Sequence, residues 1–228
     1  MKYGEKLAEI SLGMGAIKLN PKDPFRWASG YRMPIYNDNR MLLSSSEARR
    51  AVAEGFLNII EEEKIEYEVI AGTSTAGIPH ATTLADKLNQ PLTYVRTRAK
   101  DHGLGNQIEG LGPEQDYAHS RVLLIEDLIS TGGSSIKAVE AIRQADGDIG
   151  WCLAIFSYGL EKANQQFGLL DPHCSTKTIL DYNTLIRVAR RIGAINPDEE
   201  RLLFAWRDDP FGWGEKNGFP PKREECAA

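Results

Sequence analysis

Cysteine is scarce: the 228-residue chain has three, Cys152, Cys174 and Cys226, with no CxxC spacing. That excludes a disulfide framework and a cysteine-based zinc site, and it points to a reducing compartment. Long apolar runs are missing too. None approaches the roughly 18 residues that a membrane helix needs, and the charged opening MKYGEKLAEI is unlike a signal peptide. The expectation is a cytoplasmic protein with no membrane partner. Positive charge is in deficit, with 27 Lys and Arg against 32 Asp and Glu and a net charge of −5. A general nucleic-acid binder is therefore excluded, and an anionic ligand has to be met by a local basic cluster. Three of the four histidines, His80, His119 and His173, have no partner at metal-ligand spacing, so no site in which protein groups alone hold a metal is expected.

What the chain does have is concentrated between Val122 and Ser135, VLLIEDLISTGGSS. Val122, Leu123, Leu124 and Ile125 read as a strand buried on both faces, ending at two adjacent carboxylates, Glu126 and Asp127. A polar turn follows. Ser130, Thr131, Gly132, Gly133 and Ser134 can aim backbone N–H groups and hydroxyls at one point, where SSIKAVEAIRQA opens a helix whose positive end favours an anion. Two carboxylates beside such a cradle repel phosphate but match hydroxyl donors, so acids and cradle together fit a ribose 5-phosphate. The alternative is an ordinary strand-turn-helix with Ser130 or Thr131 as N-cap.

An apolar strand, two acids, two apolar residues and a Thr/Ser and Gly loop resemble the signature of the type I phosphoribosyltransferases. The resemblance implies that Glu126 and Asp127 meet the ribose of phosphoribosyl pyrophosphate. It implies also that Leu128, Ile129, Ser130, Thr131, Gly132, Gly133 and Ser134 form the loop around its phosphate, with Ser130 reaching the base.

The rest of the chain repeats the strand-loop-helix design. Leu7, Ile10, Met14 and Ile17 sit at helical spacing before a break at Asn20-Pro21. Ser44 and Glu47 read as a capping box for a helix with Ala48, Val52 and Phe56 on its apolar face. Tyr67 to Ala71 is a short strand leading into GTSTAG, which lacks the Lys of a Walker A motif but whose amides could hold a second phosphate group. A plain tight turn is the competing explanation. Pro91 to Val95 is another strand. Beyond it Arg96, Arg98, Lys100 and His102 crowd into seven residues, followed by Gly103, Gly105, Gly110 and Gly112. Basic side chains on a glycine-hinged loop read as a lid, with a solvated charge run as the alternative.

Two of these segments resemble the orotate phosphoribosyltransferases in particular. FRWASGYRMPIYNDNR (25 to 40) is similar to their N-terminal hood, and the KDHG segment is similar to their catalytic loop. This implies catalytic roles for Lys100, His102, Arg96 and Asp127, pyrophosphate contacts from Thr73 and Ser74 as well as Arg96, Lys100 and His102, and a base contact from Tyr36. Thr97 departs from members with a second Lys at that position, and Arg98 supplies a cation one residue later. An Arg that grips the orotate carboxylate in some members, at the exit of the strand 149–156, is replaced by Tyr158 and Gly159.

The expected fold is α/β, a doubly wound parallel sheet in one domain spanning 1–228, with residues 1–40 contributing a hood. The expected reaction joins orotate to the 5-phosphoribosyl group of phosphoribosyl pyrophosphate, releasing pyrophosphate. Magnesium (Mg2+) is the expected cofactor, held mainly by substrate oxygens, and a homodimer with shared active sites is the expected assembly. The rivals are a phosphoribosyltransferase for another base and a nucleotide-sensing regulator on the same fold.

Overall fold

The computed structural model describes residues 3–27, 29–97 and 107–220. The chain begins with α1 (Tyr3–Gly13), β1 (Ile17–Leu19), β2 (Phe25–Arg26), β3 (Arg32–Met33) and β4 (Ile35–Asn37). A 3₁₀ turn at Asn39–Ser44 leads to α2 (Ser46–Glu63), β5 (Val69–Thr73), α3 (Gly77–Leu88), β6 (Leu92–Val95) and β7 (Ile108–Glu109). Then come β8 (Arg121–Ile129), α4 (Gly133–Gln144), β9 (Asp148–Ser157), α5 (Glu161–Gly168) and β10 (Ser175–Asp181). Three helices close the described chain: α6 (Tyr182–Arg191), α7 (Pro197–Asp208) and α8 (Trp213–Lys216).

Six strands form one sheet in the order β10-β9-β8-β5-β6-β7. The first five run parallel and β7 pairs antiparallel to β6, so the expected parallel sheet carries one reversed edge strand. Successive β8 side chains bury on opposite faces. Leu123 and Ile125 enter a core shared with α1, α2, α3, α6 and α7, while Val122 and Leu124 enter one built with α4 and α5. A strand buried on both sides has no polar face, which is why the run is apolar throughout.

Strand order decides where a ligand can sit. From β5 the chain steps outward to β6 and then returns to lay β8 against the other side of β5. The C-terminal ends of β5 and β8 therefore diverge into opposite connections and leave a crevice, the switch point of a doubly wound sheet.

Three local expectations are corrected. β8 does not stop at the acids but continues through them to Ile129, because Glu126, Leu128 and Ile129 pair in register with Ala154, Phe156 and Ser157 of β9. α1 ends at Gly13, so Ile17 belongs to β1, where it pairs with Asn37 of β4. The cap of α2 is Ser45, whose hydroxyl accepts the Ala48 N–H at 3.2 Å, and Ser44 instead bonds back to the Met41 carbonyl. Among the described residues no helix is long and apolar enough to cross a membrane.

Candidate active site

The register Gly72 opposite Ile125 brings the next residue of β5, Thr73, alongside Glu126. Thr73 Oγ1 donates to Glu126 Oε1 at 2.6 Å, the Asp127 N–H donates to the same oxygen at 2.9 Å, and Ser135 Oγ of α4 donates to Oε2 at 3.0 Å. Glu126 is only 4% exposed. Its carboxyl is thus held by three donors at the floor of the crevice rather than presented to solvent, and burial pushes its pKa up. Asp127 has its pKa raised by burial as well, against the lowering effect of its hydrogen bond with Glu126. Its backbone carbonyl accepts Asn39 Nδ2 at 2.6 Å, which ties the N-terminal segment to the acid pair across 88 residues of chain.

Two glycines are required by this geometry. A Cβ on Gly77 would lie 2.4 Å from Thr73 Oγ1 and 2.7 Å from the Ile125 carbonyl oxygen, so a side chain there would break the Thr73–Glu126 contact. Gly132 is the N-cap of α4 at φ 86°, a left-handed conformation that glycine adopts without a Cβ penalty. No side chain caps α4, so neither Ser130 nor Thr131 acts as its N-cap and the helix's positive end stays available to an anion.

A cavity of about 310 Å³ occupies the crevice. Thr73, Ser74, Thr75 and Ala76 form one wall, Arg96 and Thr97 another, and Glu126, Asp127, Leu128, Ser130 and Ser134 the third. Eight of the residues singled out from the sequence thus meet at one cavity. Ile129 does not line it: its side chain is buried in the core on the α4 face, so any ligand contact from it is limited to the backbone. Thr131, Gly132 and Gly133 lie beyond the lining, at the start of α4. Arg96 stands at the rim, with Nη1 at 3.3 Å from Glu109 Oε1. Lys100, His102 and Arg98 lie outside the described residues.

A second cavity, of about 370 Å³, opens against the first and shares Leu128 and Ser130 with it. Its other walls are Arg26, Trp27, Ser29, Tyr36, Asn37 and Tyr158, which brings Ser130 and Tyr36 together. Aromatic packing fixes this wall. Trp27 lies 5.4 Å from Tyr158 and 6.2 Å from Trp206 of α7 between ring centroids, and its indole N–H donates to the Ile35 carbonyl at 2.9 Å.

Sequence reasoning passed over Ser135 and Lys137. Lys137 lines the first cavity with Ser134 and Ala138, an i, i+3, i+4 face of α4 that helical spacing could have revealed. As for a metal, no cluster of three His, Cys, Asp or Glu side chains occurs among the described residues. With the Glu126 oxygens already engaged by three donors, the carboxylate of Asp127 is the hard-oxygen group at the cavity wall that fits magnesium, which binds through one or two carboxylates and completes its shell from substrate phosphates and water.

Residues 38–165 match the phosphoribosyl transferase domain family. A Streptococcus agalactiae protein named orotate phosphoribosyltransferase is 44% identical over 213 residues, covering 93% of this chain and 99% of its own length. A protein of the same name from Halalkalibacterium halodurans is 45% identical over 206 residues, or 90% of this chain and 95% of its own. The crystal structure of orotate phosphoribosyltransferase from Aeropyrum pernix superposes with a TM-score of 0.69 at 26% identity, covering 83% of this chain and 99% of that one.

Proposed function

The chain belongs to the phosphoribosyl transferase family and, within it, to the orotate phosphoribosyltransferases; on that premise we propose how its two joined cavities divide the substrates. The enzyme transfers the 5-phosphoribosyl group of phosphoribosyl pyrophosphate to orotate, giving orotidine 5′-monophosphate and pyrophosphate in pyrimidine biosynthesis. The cavity between β5 and β8 takes phosphoribosyl pyrophosphate, and the cavity against the N-terminal segment takes orotate. The observation that carries this division is that the two cavities meet at Leu128 and Ser130, beside the acid pair. A sugar held by Asp127 then has its C1 directed at a base in the second cavity, the near-attack arrangement that turns a bimolecular encounter into a positioned one.

Charge decides the roles. As the C1–oxygen bond to pyrophosphate lengthens, positive charge grows on the ribose and negative charge on the leaving group. Asp127 lies on the ribose side, where its charge and hydrogen-bonding capacity serve the hydroxyls, and Glu126 acts through it, since its own oxygens are engaged by Thr73, Ser135 and the Asp127 N–H. Ser130, Ser134 and the uncapped start of α4 hold the 5-phosphate. Thr73 and Ser74 line the pyrophosphate side of the cavity, and Arg96 with Lys137 supplies cations to it. Lys100 and His102 join them as catalytic groups on the strength of the sequence resemblance. Trp27 and Tyr158 give the base side an apolar wall that keeps water from the electrophilic sugar. Asp127 would hold magnesium together with substrate oxygens, and when bound the ion would supply charge neutralisation at the pyrophosphate.

The same reading holds the enzyme to be cytoplasmic, supported by the free thiols of Cys152 and Cys174. It also holds it to be a homodimer with shared sites. The test is pyrophosphate release from phosphoribosyl pyrophosphate with a panel of bases, with magnesium and with a chelator. Orotate alone should be consumed, and only with metal; turnover of a purine but not of orotate would overturn the reading.

A further inference from the structure

The base cavity contains one full positive charge among the described residues that line it, Arg26. Trp27 and Leu128 are apolar, and Ser29, Ser130 and Tyr36 bring hydroxyl groups. Tyr158 is 2% exposed, and burial pushes its phenol far above the usual range, so it stays neutral. Asn37 has both amide atoms shut off from solvent and unpaired, so its amide does not meet a group arriving at the mouth of the cavity. β9, which ends with Ser157, delivers only Tyr158 and Gly159 beyond it.

Arg26 is also uncommitted. Its cross-strand partner Arg32 donates Nη1 to the Pro24 carbonyl at 3.1 Å. Arg40 grips Asp38 with two hydrogen bonds of 2.7 and 2.9 Å. No described residue forms an ion pair or hydrogen bond with the Arg26 guanidinium. Phe25 beside it packs at 5.9 Å on Tyr36, while Arg26 is exposed and lines the cavity together with Tyr36. An exposed guanidinium at an apolar cavity is suited to a planar anion, because its fork matches a carboxylate in two parallel hydrogen bonds and is less strongly hydrated than an ammonium.

We infer that Arg26 is a specificity-determining residue of this enzyme, pairing through its guanidinium with the ring carboxylate of the pyrimidine. The inference rests on the orotate reading of the cavity. It assigns to the β2–β3 hairpin the cation missing after β9, and it predicts discrimination against an uncharged pyrimidine, which has no carboxylate to give the guanidinium a bidentate, charge-assisted pair.

The experiment is steady-state kinetics on the full chain, wild type beside Arg26→Ala, Arg26→Gln and Arg26→Lys, with orotate as substrate and uracil as competing base. Arg26→Ala and Arg26→Gln should raise KM for orotate roughly ten- to a hundredfold, as loss of a charge-assisted pair does. The inhibition constant of uracil should move little, so that discrimination collapses, and KM for phosphoribosyl pyrophosphate should shift less than about twofold. Arg26→Lys should recover part of the loss. A merely structural role would move both substrates and the melting temperature together and leave discrimination intact. Folded Ala and Gln variants that keep the wild-type KM for orotate would overturn the inference. A wild-type enzyme that fails to turn over orotate would overturn the functional reading instead, and the inference with it.

Discussion

Thr73 and Glu126 are joined by a 2.6 Å hydrogen bond that runs from the end of β5 to the acid on β8, and Ser135 of α4 reaches the other oxygen of the same carboxylate at 3.0 Å. Three elements thus converge on one buried side chain, and the residue next to it, Asp127, lines the same cavity with its backbone fixed on both sides, its carboxyl not tied down by those three donors. The acid pair is a support and a contact, not two equal contacts.

Removing a donor from that support should be costly. Thr73→Val and Ser135→Ala each leave a buried carboxyl short of a partner, a loss of about 1–3 kcal/mol, whereas Thr73→Ser keeps the hydroxyl and should stay near wild type. Urea unfolding midpoints read the difference directly. A Thr73→Val protein as stable as wild type would mean that water replaces the lost donor.

Kinetics should separate the cations from the acids. Lys100→Ala should lower kcat more than it raises KM for phosphoribosyl pyrophosphate, because charge on the leaving group develops in the transition state. Asp127→Asn should also raise KM for phosphoribosyl pyrophosphate, through weaker ribose contacts, and Lys137→Ala should raise it through loss of a cation at the cavity wall. If Lys100→Ala changed KM alone, its role would be confined to binding.

Acid should weaken the fold through His80. The imidazole is 3% exposed, its Nε2 has no partner, and burial pushes its pKa down to about 4. Between about pH 6.5 and 4 the unfolded chain binds a proton that the native chain refuses, so stability falls as pH falls, by roughly 1 kcal/mol at pH 5.5 and roughly 3 by pH 4. The acid pair works the other way. With pKa raised by burial, Glu126 and Asp127 bind protons more readily in the native state and lose their contribution as pH rises through that window. His80→Phe removes only the first effect, so its unfolding midpoint should depend less on pH between 7.5 and 5.5. Equal slopes for wild type and variant would show that His80 is protonated inside the fold.

What was legible in the sequence was whatever is encoded locally. The apolar run, the acid pair and the Ser-Thr-Gly-Gly turn lie within 14 residues, Val122 to Ser135, and their order alone places a cradle at a strand end. What long-range pairing decides was not legible. Polarity says that β8 stops at Glu126, but the β9 register carries it to Ile129. Ile17 falls in step with the α1 period by coincidence and is buried by strand pairing. Arg26 had no signal at all, since a two-residue strand shows no period, and only the folded hairpin puts it on the same cavity as Tyr158.

The last prediction concerns assembly. If the basic segment around Lys100 serves the neighbouring subunit's cavity in a two-fold dimer, two inactive variants should rescue one another. Lys100→Ala subunits mixed with Asp127→Asn subunits, under conditions that let dimers exchange, should give mixed dimers in about half of the pairs. Each mixed dimer then has one site with both lesions and one site with neither, so activity should return to about a quarter of wild type. When each subunit completes its own site, every site in a mixed dimer keeps one lesion and nothing returns. A mixture no more active than its parents, with exchange confirmed by mass spectrometry of differently tagged subunits, would rule out the shared site while leaving the roles of both residues standing.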